Sequence, residues 1–174
     1  QPSFISKDGP GSTRRLLGVN KWAKAVEDAA ADKPKAVRVE ALRMLQSYAL
    51  DDAQTKVMWG DAVGARAAIL ASVALDQHEA VSTAALGALR NLAFDDANTQ
   101  PIWRYAGATL LASTDVSQPV ALREAALGAL HNIAFDDTVT KHIWRYGAID
   151  ILANLAIDLP VGVREAALGV LYNL

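Results

Sequence analysis

The sequence predicts an all-α solenoid, on three observations. The stretch Val163–Leu174, VREAALGVLYNL, has earlier copies at Leu122–Ile133, LREAALGALHNI, and at Val81–Leu92, VSTAALGALRNL, with a more diverged one at Val37–Tyr48, VRVEALRMLQSY. The last three copies are spaced by 41 residues, and the first lies 44 before the second. Between copies the same punctuation returns: an acidic pair, a tryptophan, and a turn that carries proline in most units. A fixed period near 40 residues marks units that bury their apolar faces only against their neighbours. Such an array implies binding as the class of function. It does not name the partner.

Composition fits. The 174 residues are 52% apolar and 21% charged, a profile of a helical globular chain and not of a disordered one. A formal net charge of −2 leaves no electrostatic footprint for nucleic acid or an anionic membrane. With no cysteine there is neither a disulfide framework nor a thiolate metal site. The longest apolar runs fall far short of the roughly 20 residues that a membrane span needs. The chain opens at Gln1 and stops at the last residue of a motif copy, so both ends read as cut.

Taken in order, residues 1–12, QPSFISKDGPGS, lack any hydrophobic period and read as an extended tail. Residues 13–50 form an N-terminal partial or capping unit: a helical pattern from Thr13 toward Ala31, a break at Asp32-Lys33-Pro34, then the first copy of the organising helix. Full units are expected over 51–94 and 95–135, and a C-terminally truncated one over 136–174. Each opens on an acidic pair, Asp51-Asp52, Asp95-Asp96 or Asp136-Asp137, whose first carboxylate suits an N-cap and the dipole end. A short first helix then runs past Thr55, Thr99 or Thr140 to Trp59, Trp103 or Trp144. The glycine stretches Tyr105-Ala106-Gly107 and Tyr146-Gly147 are expected to break it before a second helix. The turn to the third helix carries Pro34, Pro119 or Pro160, with His78 in that place in the second unit. The three extra residues of that unit are expected in the bend Gly60–Gly64.

The third helix has apolar residues Val163, Ala167, Val170, Leu171 and Leu174 at i, i+4, i+7, i+8 and i+11, one face of a 3.6-residue period. The opposite face collects Glu165, Gly169, Tyr172 and Asn173 in the last copy, Glu124, Gly128, His131 and Asn132 before it, and Thr83, Gly87, Arg90 and Asn91 before that. Glycine inside a helix costs roughly 1 kcal/mol relative to alanine. Three in register therefore imply close approach, either by a neighbouring unit or by a partner. The tryptophans read as inter-unit core. Arg38, Arg123 and Arg164 read as satisfying aspartates or carbonyls near helix starts.

A short helix, a glycine bend, a second helix, a turn and a long third helix ending in L-x-N-L resembles the armadillo repeat. Ile143–Ala153, IWRYGAIDILA, looks like that family's junction between helices 1 and 2, and REAALGVLYNL looks like its third helix; the likeness runs from about Lys21 to Leu174. It implies a right-handed α-solenoid of three-helix repeats whose third helices line a concave groove. In the family the asparagine near the end of helix 3 hydrogen-bonds the backbone of an extended partner, which points to Asn91, Asn132 and Asn173; Ser47 interrupts the row. The family's nuclear-import adaptors carry tryptophan four residues before that asparagine. Gly87, Gly128 and Gly169 stand there, so that subtype is excluded.

From the residues themselves, an amide offers both a donor and an acceptor to a peptide backbone. Each asparagine could instead tie a loop of its own unit. One register position filled by Arg90, His131 and Tyr172 reads as recognition diversity on a common scaffold, with Glu124 and Glu165 adding charge. Nothing reads as catalytic: His78, His131 and His142 stand without cysteine, nucleophile elbow or phosphate loop. The expectation is a non-enzymatic adaptor without cofactor or metal, binding an extended peptide or helix of a protein partner but not nucleic acid. It would be intracellular, most simply cytoplasmic, or organellar after loss of a targeting segment. The alternative is a structural subunit built permanently into a larger complex. Val170, Leu171 and Leu174 are expected to be exposed on the last helix unless more repeats or a subunit abut it.

Overall fold

The computed structural model describes residues 22–60, 64–74 and 77–174. The expected tail and the start of the first helical pattern lie outside the described residues. The first described helical residues, 22–28 (α1), precede α2 (Lys35–Tyr48), α3 (Asp52–Trp59), α4 (Ala65–Ser72), α5 (Glu79–Leu92), α6 (Asp96–Ala112), α7 (Val120–Ile133), α8 (Asp137–Ala153) and α9 (Val161–Asn173). All the regular elements are helices among the described residues.

The four motif copies are α2, α5, α7 and α9, and they stack in that order into one layer, each against the copy before it. The helices that precede them, α6 and α8 above all, form a second layer and pack on one another and on the motif helices. The core lies between the layers. Leu42 and Leu45, Leu86 and Leu89, and Leu127 and Leu130 are fully buried at matching positions of successive copies, with Met58, Ile102 and Ile143 closing them from the other layer.

Helix starts follow the residues that mark them. Asp95 accepts from the Ala97 N–H at 3.1 Å, and Asp136 accepts from Thr138 and Val139 at 2.9 and 3.0 Å. Pro34, Pro119 and Pro160 are the N-caps of α2, α7 and α9, and His78 is that of α5. The threonines hold the corners: Thr55 and Thr140 hydroxyls donate to the carbonyls of Ala49 and Ala134 at the ends of the preceding motif helices.

Two expectations about the backbone need correction. Among the described residues, the second unit separates its first two helices, at a bend where Gly64 takes φ 74°, a left-handed conformation that glycine adopts freely. In the next two units these helices are fused into the 17-residue α6 and α8, which run straight through Gly107 and Gly147. These glycines serve close approach, not breakage. A Cβ on Gly107 would lie 2.8 Å from the Trp103 indole, and one on Gly147 would collide with Leu111 of the preceding unit. Secondly, Val170 is fully buried and Leu171 and Leu174 pack against the core, because that stripe of α9 turns toward α7 and α8. The exposed large apolar residues of α9 are Val161, Leu168 and Tyr172, at 57%, 56% and 89%.

Candidate functional site: the face of the motif helices

The motif helices present one face outward, and a continuous depression runs along it. One stretch, of about 610 Å³, lies across α2, α5 and α7 and is bordered by Arg43, Thr83, Gly87, Arg90 and Glu124. The next, of about 300 Å³, lies across α7 and α9 between Arg90, Glu124, His131 and Glu165, with Gly128, Gly162 and Gly169 beneath. The helical period places these residues together: positions four and seven apart in the motif return to one face after about one and two turns. Of the residues that the sequence put on this face, Arg90, His131, Glu124, Glu165, Gly87, Gly128 and Gly169 line it, as does Arg43 at the glycine position of the first copy. The sequence reading did not single out Glu79 or Gly162, which line it too.

The glycines are covered from the preceding unit. A Cβ on Gly87 would meet the Gln46 amide at 2.8 Å, one on Gly128 would meet the Arg90 side chain at 3.1 Å, and one on Gly169 would meet His131 Nδ1 at 2.7 Å. The variable motif position of each unit therefore leans over the glycine of the next. His131 is further steadied by an edge-on contact with Phe135, their ring centroids 5.6 Å apart. The Glu124 carboxylate lies against Gly162 in the first turn of α9, where the helix end favours negative charge.

The asparagines form a ladder between units. Asn91 Nδ2 donates to the Gln46 carbonyl at 2.9 Å, Asn132 to that of Arg90 at 2.8 Å, and Asn173 to that of His131 at 3.0 Å. Each acceptor stands one residue before the Ser or Asn of the unit behind, so the ties run backward across the junction and not into the residue's own loop. Asn91 and Asn132 are buried. None of the three lines either stretch of the depression, and the tie to the unit behind uses the amide nitrogen of each.

On the far side Arg38 and Arg123 also bridge units through amides, and Arg38 Nε in addition donates to the Ala29 carbonyl at 3.3 Å, the kind of partner expected of it. Arg38 donates to Gln77 Oε1 at 2.9 Å, and Arg123, only 3% exposed, donates to Asn154 Oδ1 at 2.9 Å. The Asn154 amide donates in turn to the carbonyls of Thr114 and Asp150. The tryptophans divide by position. Trp59 is buried and Trp103 packs beside His142 of the following unit, whereas Trp144 is 57% exposed.

This two-layer stack with one grooved face has known counterparts. A crystal structure of an engineered protein from a structural genomics consortium superposes with a TM-score of 0.78 over 88% of this chain at 23% identity. A designed armadillo repeat protein, solved with the peptide (KR)4, superposes with a TM-score of 0.77 over 95% of this chain at 19% identity. The fold is the armadillo-type repeat solenoid. The chain spans 62% of the first structure's length and 69% of the second's. No protein-family model matches the sequence, and no curated protein matches it either.

Proposed function

We propose that this armadillo-type array is a non-enzymatic interaction scaffold that holds an extended segment of a protein partner along the motif-helix face. The observation that carries the reading is the groove itself: a floor of glycine and alanine, with unpaired polar side chains repeated once per unit along its walls. Stacked helices lie about 8–10 Å apart and an extended chain advances about 3.3 Å per residue, so each unit meets about three residues of such a segment. Asn91, Asn132 and Asn173 recur once per unit, and with their amide nitrogens held by the unit behind they would offer only their oxygens to its backbone. Arg90, His131 and Tyr172 would then select its side chains. The peptide held by the similar designed protein supports a ligand of this kind.

Panning random dodecamers against the protein tests this. Ala121 is exposed and borders the groove, so Ala121→Trp fills the groove without touching the core. Selected peptides should bind the wild type and the outer-layer variant Arg104→Ala alike, and lose binding to Ala121→Trp while its thermal melt is unchanged. Peptides indifferent to Ala121→Trp would contradict the reading.

One observation favours a second reading, a structural subunit of a larger assembly. Trp144, Leu152 and Leu168 are about half exposed on α8 and α9, whereas the counterparts of Leu168 in α5 and α7, Leu86 and Leu127, are fully buried. A permanent partner would cover that surface. Among the described residues no helix is long and apolar enough to cross a membrane.

A further inference from the structure

The charges on the groove face are ordered along the array. On α2 this face carries Lys35, Glu40 and Arg43, a net charge of +1. On α5 it carries Glu79 and Arg90, which cancel. On α7 and α9 it carries Glu124 and Glu165, one net negative charge each. All seven side chains are exposed. Among the described residues, the hydrogen bond that any of them makes to another side chain is that of Lys35, whose ammonium lies 3.2 Å from His78 Nε2. Among the described residues the salt bridges are Lys24–Asp28 and Lys33–Glu27, both away from this face. The charges are thus free to meet a ligand, and the order is set by sequence at fixed register: Arg43 occupies the position held by Gly87, Gly128 and Gly169 in later copies.

We infer that the groove selects a charge-polarised segment, with acidic side chains over α2 and basic side chains over α7 and α9. The inference rests on the peptide-binding reading and deepens it. A uniformly basic ligand would place like charge over Arg43 and Lys35, and a uniformly acidic one would do so over Glu124 and Glu165. Electrostatic complementarity of this kind fixes register and direction more than it adds raw affinity. At about three residues per unit, the acidic and basic clusters of the ligand should stand about six to nine residues apart.

The test uses four synthetic dodecamers in fluorescence anisotropy: Glu-Glu first and Lys-Lys last, the reverse order, an all-lysine analogue and a neutral one. Exposed ion pairs contribute a few tenths to 1 kcal/mol each, so three of them should favour one polarised order by about tenfold over the other and over all-lysine. The preference should shrink in 0.5 M salt, where the screening length is only a few ångströms. The triple charge swap Arg43→Glu, Glu124→Lys and Glu165→Lys should prefer the opposite order. Equal binding of both orders and of the all-lysine peptide would overturn the polarity while leaving the groove reading intact. If no dodecamer bound, while random panning also yielded nothing sensitive to Ala121→Trp, both would fall together.

Discussion

Single residues here act across unit junctions, which sets the outcome of substitution. Gly87 sits inside α5, where glycine costs roughly 1 kcal/mol against alanine, and the only obstacle to a Cβ is the free end of the Gln46 side chain. Gly87→Ala should therefore raise the melting temperature by a few degrees. Gly107→Ala meets the Trp103 ring instead, a rigid plane already packed beside His142, and should lower stability by about 1 kcal/mol net. A thermal melt of both decides whether the glycines are there for the ring and not for a helix break. Asp136 makes a pH prediction. The Val139 backbone N–H, with Gln100 and Thr138 beside it, holds its carboxyl below the ordinary range. A lowered folded-state pKa gives stability that is complete above the unfolded value of about 3.9 and is lost as pH falls through the folded one. Asp136→Asn keeps an acceptor for the cap and should flatten the acid limb of stability below about pH 4. Asp136→Ala should cost about 1 kcal/mol at neutral pH.

At the scale of elements, the junctions are held by polar ties laid over apolar packing. The buried network of Arg123, Asn154 and the Thr114 and Asp150 carbonyls joins α7 to α8. Asn154→Ala leaves a buried guanidinium and two carbonyls without it, and chemical denaturation should show a loss of about 2–4 kcal/mol. Arg123→Met in that background should restore part of the loss; further destabilisation would mean that the guanidinium is otherwise supported. The motif helices were legible from sequence because their apolar stripe recurs three times in register. The fused α6 and α8 were not, because Gly107 and Gly147 read locally as breakers. What keeps the helices going is contact with Trp103 and Leu111, and only the assembled layers supply the second of these. The same holds for Arg123: its buried face was not visible, since its partner amide lies in another unit at no fixed spacing.

For the whole molecule, stability is a sum of unit and junction terms, so each Asn rung matters locally. Asn132→Ala removes one hydrogen bond at an inner junction and should cost about 1 kcal/mol. Hydrogen exchange should quicken around the α5–α7 contact, and no such change should reach α2. The groove was half legible: the sequence marks which positions recur, while the leaning of Gln46, Arg90 and His131 over the next unit's glycine appears only once helices are stacked. That stacking turns single residues into a row, and the row is what a partner segment would meet. The most direct measurement is an NMR map of backbone amide shifts on titration with a selected dodecamer. The account predicts perturbations along one face of α2, α5, α7 and α9, including Thr83, Gly87, Glu124, Gly128 and Glu165. Shifts confined to α6 and α8, with those five amides unmoved, would contradict it.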